Sequence, residues 1–109
     1  MEDPAPLPRR PLDRFIAERR IKAIAAVTSN IKWSFHALER MEERGIPDVD
    51  VLRILRQGVI AGPPRADRPG EWTCKMVRTI RGRREAGVVV IILLGDRLLV
   101  KTVEWEDTG

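Results

Sequence analysis

His36, Arg40, Glu43 and Arg44 stand at spacings i, i+4, i+7 and i+8 in a stretch free of proline and glycine. On a helix, at about 100° per residue, these four side chains fall within an arc of about 100°. Phe35, Ala37, Leu38 and Met41 fill the opposite side, so the helix is expected to bury one face and offer the other. The offered face carries the chain's only imidazole beside two guanidiniums. A histidine near neutral pH can donate or accept a proton. Adjacent arginines favour its neutral form and can hold a phosphate. That combination suits phosphodiester cleavage by a ribose 2′-hydroxyl without a metal. The same spacing also describes a solvated helix face whose Glu39, Arg40, Glu43 and Arg44 form ordinary ion pairs.

A second group lies near the C-terminus, in Lys101, Thr102, Glu104 and Trp105. Simple strand alternation puts Lys101, Val103 and Trp105 on one face and Thr102 and Glu104 on the other. Glu104 could serve as a general base, Lys101 as a phosphate contact and Trp105 as a stacking platform. Equally, Trp33, Trp72 and Trp105 could be core, the reading favoured for at least two of them. Cys74 alternates with Trp72 and Met76, which reads as a buried, inert thiol rather than a nucleophile. One cysteine and one histidine exclude a disulfide framework and a His-rich or multi-thiolate metal site. Neither metal-ligand spacing nor a phosphate-cradling glycine loop is present, so no metal or cofactor is expected.

The elements that must position these groups follow from periodicity. Residues 1–11 hold four prolines and little aliphatic bulk, and read as a flexible, extended arm. Residues 12–27 are helical by period, with Thr28, Ser29 and Asn30 as the turn after them. Residues 34–44 form a second helix with Ser34 as its N-cap, a Trp33–Leu38 staple, and Gly45 in a left-handed C′ position with Ile46 packing back on Met41. A third helix is expected over 48–57, with Asp48 and Asp50 in its first turn and Gly58 ending it.

Strands are expected at Val59–Ile60, at 71–80, at 88–94 and at 97–105. The all-aliphatic 88–94 run reads as a central strand covered on both faces. Gly95-Asp96 reads as a type II′ hairpin turn, and Arg81 to Gly87 as an exposed basic loop. The expected fold is α+β, with N-terminal helices packed on a curved, mostly antiparallel four-stranded sheet.

The chain has 109 residues, 20 of them basic and 16 acidic, for a net charge of +4. That length fits one domain. Its longest aliphatic run, Val88 to Leu94, is far short of the roughly 20 residues of a membrane-spanning helix. With no apolar signal-like segment at the N-terminus, a cytoplasmic protein without membrane partners is expected. The basic excess is local, because residues 59–85 carry seven basic residues against three acidic ones. Lys75, Arg78, Arg81, Arg83 and Arg84, with Lys101, are therefore the candidate nucleic-acid contacts. An exposed, solubilising loop and edge strand would give the same excess.

The stretch Phe35-His36-Ala37-Leu38-Glu39-Arg40-Met41-Glu42-Glu43-Arg44-Gly45-Ile46 resembles a small bacterial domain-of-unknown-function family with the signature H-A-x-x-R-M-x-x-R-G-I. Asp50-Val51, then Gly58-Val59-Ile60 and the closing Val100-Lys101-Thr102-Val103-Glu104-Trp105 are also similar to it. Pro47 departs from the Ser or Thr more usual there. The resemblance covers about residues 33–107, so the helical segment 12–30 is an addition to a domain at 31–107. That family is similar in predicted fold to RelE-type and BrnT-type toxins. The resemblance implies a metal-independent endoribonuclease of a toxin–antitoxin pair, acting on mRNA, free or on the ribosome, and neutralised by a small cognate antitoxin. Its motif marks His36, Arg40 and Arg44; Glu104 is a second proton-transfer candidate read from the strand. A non-catalytic RNA- or ribosome-binding module and a protein-interaction domain are the alternatives. The added helix could cover the sheet, form a homodimer contact or receive a partner.

Overall fold

A computed structural model describes residues 11–107. The arm expected over residues 1–11 lies, apart from Pro11, outside the described residues. Helix α1 spans Arg14–Ala25 and starts where the Asp13 carboxylate accepts from the amides of Phe15 (2.8 Å) and Ile16 (3.1 Å). A 3₁₀ turn, Thr28–Asn30, leads into a short strand, β1 (Ile31–Trp33). Helix α2 covers Phe35–Arg44 and α3 covers Asp48–Gln57. Five further strands follow: β2 (Val59–Ile60), β3 (Arg65–Ala66), β4 (Trp72–Ile80), β5 (Arg84–Leu93) and β6 (Arg97–Trp105). No helix among the described residues is long and apolar enough to cross a membrane.

The fold is α+β, but the sheet has six strands rather than four; it is mixed, with one parallel pairing and the others antiparallel. The order is β1-β6-β5-β4-β2, with β3 also on β4, and β1 runs parallel to β6. The two additional strands are three and two residues long. Segments so short complete no alternation, so their sequence carries no strand period. Strand β5 begins at Arg84, which shrinks the expected Arg81–Gly87 loop to residues 81–83. At the other hairpin both Gly95 (φ 80) and Asp96 (φ 55) have positive φ. A type II′ turn has positive φ only at its first central residue, so that expectation fails; three residues separate the paired Leu93 and Arg97.

Register assigns the faces. Cys74, Val90 and Val100 lie across from one another, as do Met76, Val88 and Val103. All are buried, and they join Ile21 and Ile24 of α1, Ala37 and Met41 of α2, and Val51, Ile54 and Leu55 of α3 in one core. Trp33, Trp72 and Trp105 pack against it. The opposite face carries Thr73, Lys75, Val89, Ile91, Leu93, Leu99, Thr102 and Glu104, with no helix against it among the described residues. Strand β5 is thus layered by helices on one face only, and Val89 and Leu93 stay half-buried.

A bulge resets β6. Val89 is opposite Thr102 but Val90 is opposite Val100, so Lys101 is an extra residue. Its insertion puts Val103 and Trp105 on the core face with Leu98 and Val100. Strict alternation grouped Lys101 with Val103 and Trp105; instead Lys101 is exposed while Val103 is buried.

The helix ends show two uses of glycine. Gly45 adopts a left-handed conformation (φ 64), and the Ile46 amide returns to the Met41 carbonyl at 2.9 Å. Gly58 has no unusual φ; it is required by close approach, since a Cβ there would lie 2.5 Å from the Ile54 oxygen and 2.6 Å from the Val77 oxygen. Both obstacles are backbone and cannot rotate away. Gly58→Ala is therefore expected to destabilise the fold by about 1–3 kcal/mol, as overpacking does. Urea unfolding of the variant checks this, and an unchanged midpoint contradicts the packing assignment.

Candidate functional site

Helix α2 is fastened to the edge of β6. The Ser34 hydroxyl accepts from the Ala37 amide (3.0 Å) as N-cap and donates to the Lys101 carbonyl (3.1 Å). At the other end Arg44 donates to the Val103 carbonyl (2.7 Å), and the Trp105 indole N–H donates to the Arg44 carbonyl (2.9 Å). Arg44 thus joins helix to strand. Arg40 is paired with Glu43 at 2.5 Å. His36 is exposed and makes no hydrogen bond to any described residue. Ala37 and Met41 are buried as expected, but Phe35 (78% exposed) and Leu38 (48%) face solvent, so Trp33 and Leu38 form no buried staple. The helix buries a narrower stripe than its composition predicts because it lies at the sheet edge.

The open sheet face joins two residues that the sequence treats separately. Lys75 of β4 places its ammonium 3.1 Å from Glu104 Oε1 and 2.6 Å from Glu106 Oε1, both at the end of β6. To do so it crosses the middle strand over Gly87, where a Cβ would come within 2.7 Å of Lys75 Cε and 3.1 Å of Glu106 Cδ. Gly87 is the flat place that lets the ion pair form. Glu106 has no place among the residues singled out from sequence, although its i+2 spacing from Glu104 puts both on one face of a continuing strand. The Glu106 amide does extend the pairing, donating to the Glu85 carbonyl at 2.8 Å.

Beside the pair lies a cleft of about 390 Å³ lined by Gly62, Pro63, Arg65, Thr73, Lys75 and Glu104, among others. It holds an ammonium next to a carboxylate, with a guanidinium and a hydroxyl nearby. That set can bind a phosphate and move a proton. Among the described residues no group of three or more His, Cys, Asp or Glu could hold a metal ion.

Half of the six arginines in residues 59–85 are already engaged. Arg78 donates to the Gln57 carbonyl (3.2 Å). Arg81, itself at positive φ, pairs with the buried Asp50 (3.3 Å). Arg84 lies 3.8 Å above the Trp105 ring and grips Asp107 through two bonds of 3.2 Å. Those bonds hold the Asp107 carboxyl below its usual range. The side chains of Arg65, Arg68, Arg83 and Lys101 have no partner among the described residues. Cys74 is buried, and desolvation pushes its thiol up to about 11 despite the lowering influence of Arg20. It is expected to stay unmodified by iodoacetamide at pH 8 until urea unfolds the chain; mass spectrometry of native and unfolded protein decides this.

Burial works against the charge on Lys75, but hydrogen bonds and charge from Glu106 and Glu104 more than offset it, raising its pKa above 10.5. The ammonium therefore persists through neutral pH. Because the folded value exceeds the unfolded one, the pair's stabilisation is fully present below about 10.5 and is lost as pH rises through the folded value. Glu106→Gln is expected to lower the Lys75 pKa, as followed by NMR titration of its side-chain carbons; an unmoved titration contradicts the pairing.

Residues 33–105 match a family described as a domain of unknown function, DUF4258, leaving α1 outside the match. No curated protein and no solved structure matches the chain.

Proposed function

The chain belongs to the DUF4258 family of unknown function, and from its open sheet face we propose an RNA-directed protein of the RelE/BrnT toxin type, a metal-independent endoribonuclease. The observation that carries this reading is the Lys75–Glu104 pair, 3.1 Å apart, lining a cleft on the face that no helix covers among the described residues. An extended strand of RNA needs open access of that kind. The motif of α2 and the α+β layering, with helices on one face, are in keeping with it.

Glu104 is the base that takes the proton from a ribose 2′-hydroxyl. The freed oxygen attacks the adjacent phosphorus, the bond to the 5′-oxygen breaks, and a 2′,3′-cyclic phosphate remains. The departing 5′-oxygen needs a proton, for which His36 is the proposed donor. Lys75 has a third N–H beyond those directed at Glu104 and Glu106, and its persistent charge stabilises the developing phosphorane. Arg65, in the same cleft, is the second phosphate contact. This assignment moves phosphate binding from Arg40 and Arg44, which hold Glu43 and Val103, to the sheet. A cognate antitoxin, covering the same face, is the partner that a toxin of this type requires, and the cytoplasm is where both would act.

Purified protein is expected to cleave single-stranded RNA to cyclic-phosphate ends, in the presence of a chelator as in its absence. Glu104→Gln should lower the rate by about 100-fold or more, as loss of a general base does, and His36→Ala should also slow it. Intact RNA after incubation with the wild type refutes the reading. The double pairing of Lys75 favours a second reading, a non-catalytic RNA-binding module. Salt-sensitive RNA binding without cleavage selects that one.

A further inference from the structure

Of the three hairpin arginines, Arg81 and Arg84 are held by carboxylates and only Arg83 is unpaired. The side chains of Lys32, Arg65, Arg97 and Lys101 form no ion pair or hydrogen bond with any described residue, and all four are exposed. Register brings them together. Lys32 is opposite Leu99, Leu99 opposite Ile91, Ile91 opposite Thr73 and Thr73 opposite Arg65. Residues directly opposite share a face, so this is one row across five strands of the open side. Arg97, opposite Leu93, stands beside the row, and the exposed, bulged Lys101 lies two residues past Leu99 on β6. Four inter-strand steps of about 4.8 Å separate the ends by about 19 Å.

We propose that single-stranded RNA crosses the open face along this row, its phosphates held by Lys32 and Arg65 at the ends and by Arg97 and Lys101 beside it. The inference rests on the RNA reading of this face but not on catalysis. Energetics separate these cations from the hairpin. Arg81 or Arg84 can reach a phosphate only by leaving Asp50 or Asp107, whereas the cations of this row give up only water and counterions. The floor between them is aliphatic, presented by the half-buried Leu99 and Leu93 around the buried Ile91. Unpaired bases present faces that can lie on such a floor; a duplex hides them and offers only its backbone. The row ends at Arg65 and Thr73, which also line the cleft beside Lys75 and Glu104. A strand following the row therefore delivers a phosphodiester to the pair.

The test is fluorescence polarisation with a labelled oligouridylate over a range of salt concentrations. Each phosphate contact contributes about −0.7 to the slope of log K against log salt for a single strand. The wild type is expected to show a slope of about −3 from this face, and Lys32→Gln/Arg65→Gln should be shallower by about 1.4. Circular dichroism should be unchanged, since both residues are exposed and unpaired. Arg83→Gln should leave the slope nearly as it was. An unaltered slope in the double variant overturns the proposal, as does equal competition by duplex RNA or exclusive binding of polyglutamate. Salt-dependent binding lost in the double variant, with no cleavage by the wild type, supports this path and refutes the nuclease. Cleavage that persists at unchanged KM in Lys32→Gln/Arg97→Gln, neither of which lines the cleft, supports the nuclease and refutes this path.

Discussion

The unmatched edge of β6 is the constraint on which the rest of the structure depends. β6 is nine residues long, but its outer neighbour β1 pairs only with Leu98, Leu99 and Val100. Backbone groups beyond Val100 would be left as an open edge, which is costly if buried and prone to association if exposed. Helix α2 closes it. Ser34 takes the Val100 and Lys101 carbonyls through its amide and hydroxyl, and Arg44 takes the Val103 carbonyl. The Trp105 indole then locks on the end of the helix. A similar device guards the opposite edge, where the Glu18 carboxylate of α1 accepts from the Ile60 amide at 2.8 Å. With α2 held at an edge and α1 and α3 on the core face, the other face of the sheet is left for chemistry.

Arginine has two uses in this molecule. Arg44, Arg56 and Arg78 each bind a backbone carbonyl, and Arg81 and Arg84 each bind a carboxylate. Such arginines are mortar between elements: the planar, permanently charged fork suits several fixed acceptors at once. What remains for an external anion on the open face is a separate group that includes Lys32, Arg65 and Arg97. Lys75 belongs to neither class. Two carboxylates hold its charge in place and leave a donor free, which makes it a fixed positive point beside a base candidate rather than part of a diffuse basic surface.

The legible parts of the sequence were those with local physics. The caps of α2, the left-handed Gly45, the core stripe Trp72, Cys74 and Met76, and the span of β6 all follow from short-range spacing and conformational preference. The α+β class follows from the change of period along the chain. Illegible were β1 and β3, of three and two residues, which exist because a neighbour's edge needs them. The bulge at Lys101, where one inserted residue reverses the faces that alternation assigns, was equally hidden.

For function the division is similar. The sequence alone determined which groups were present: one imidazole, one thiol already marked as buried, and a carboxylate and a lysine on separate strands. It also placed the basic excess in residues 59–85. Only the tertiary structure decided that Lys75 and Glu104 meet, because Gly87 on the strand between them leaves room for the side chain to cross. Only the tertiary structure decided which cations are free, because pairing is set by contacts tens of residues apart, such as Arg81 with Asp50. Charge can be counted along a chain, but its availability depends on what folding puts beside it.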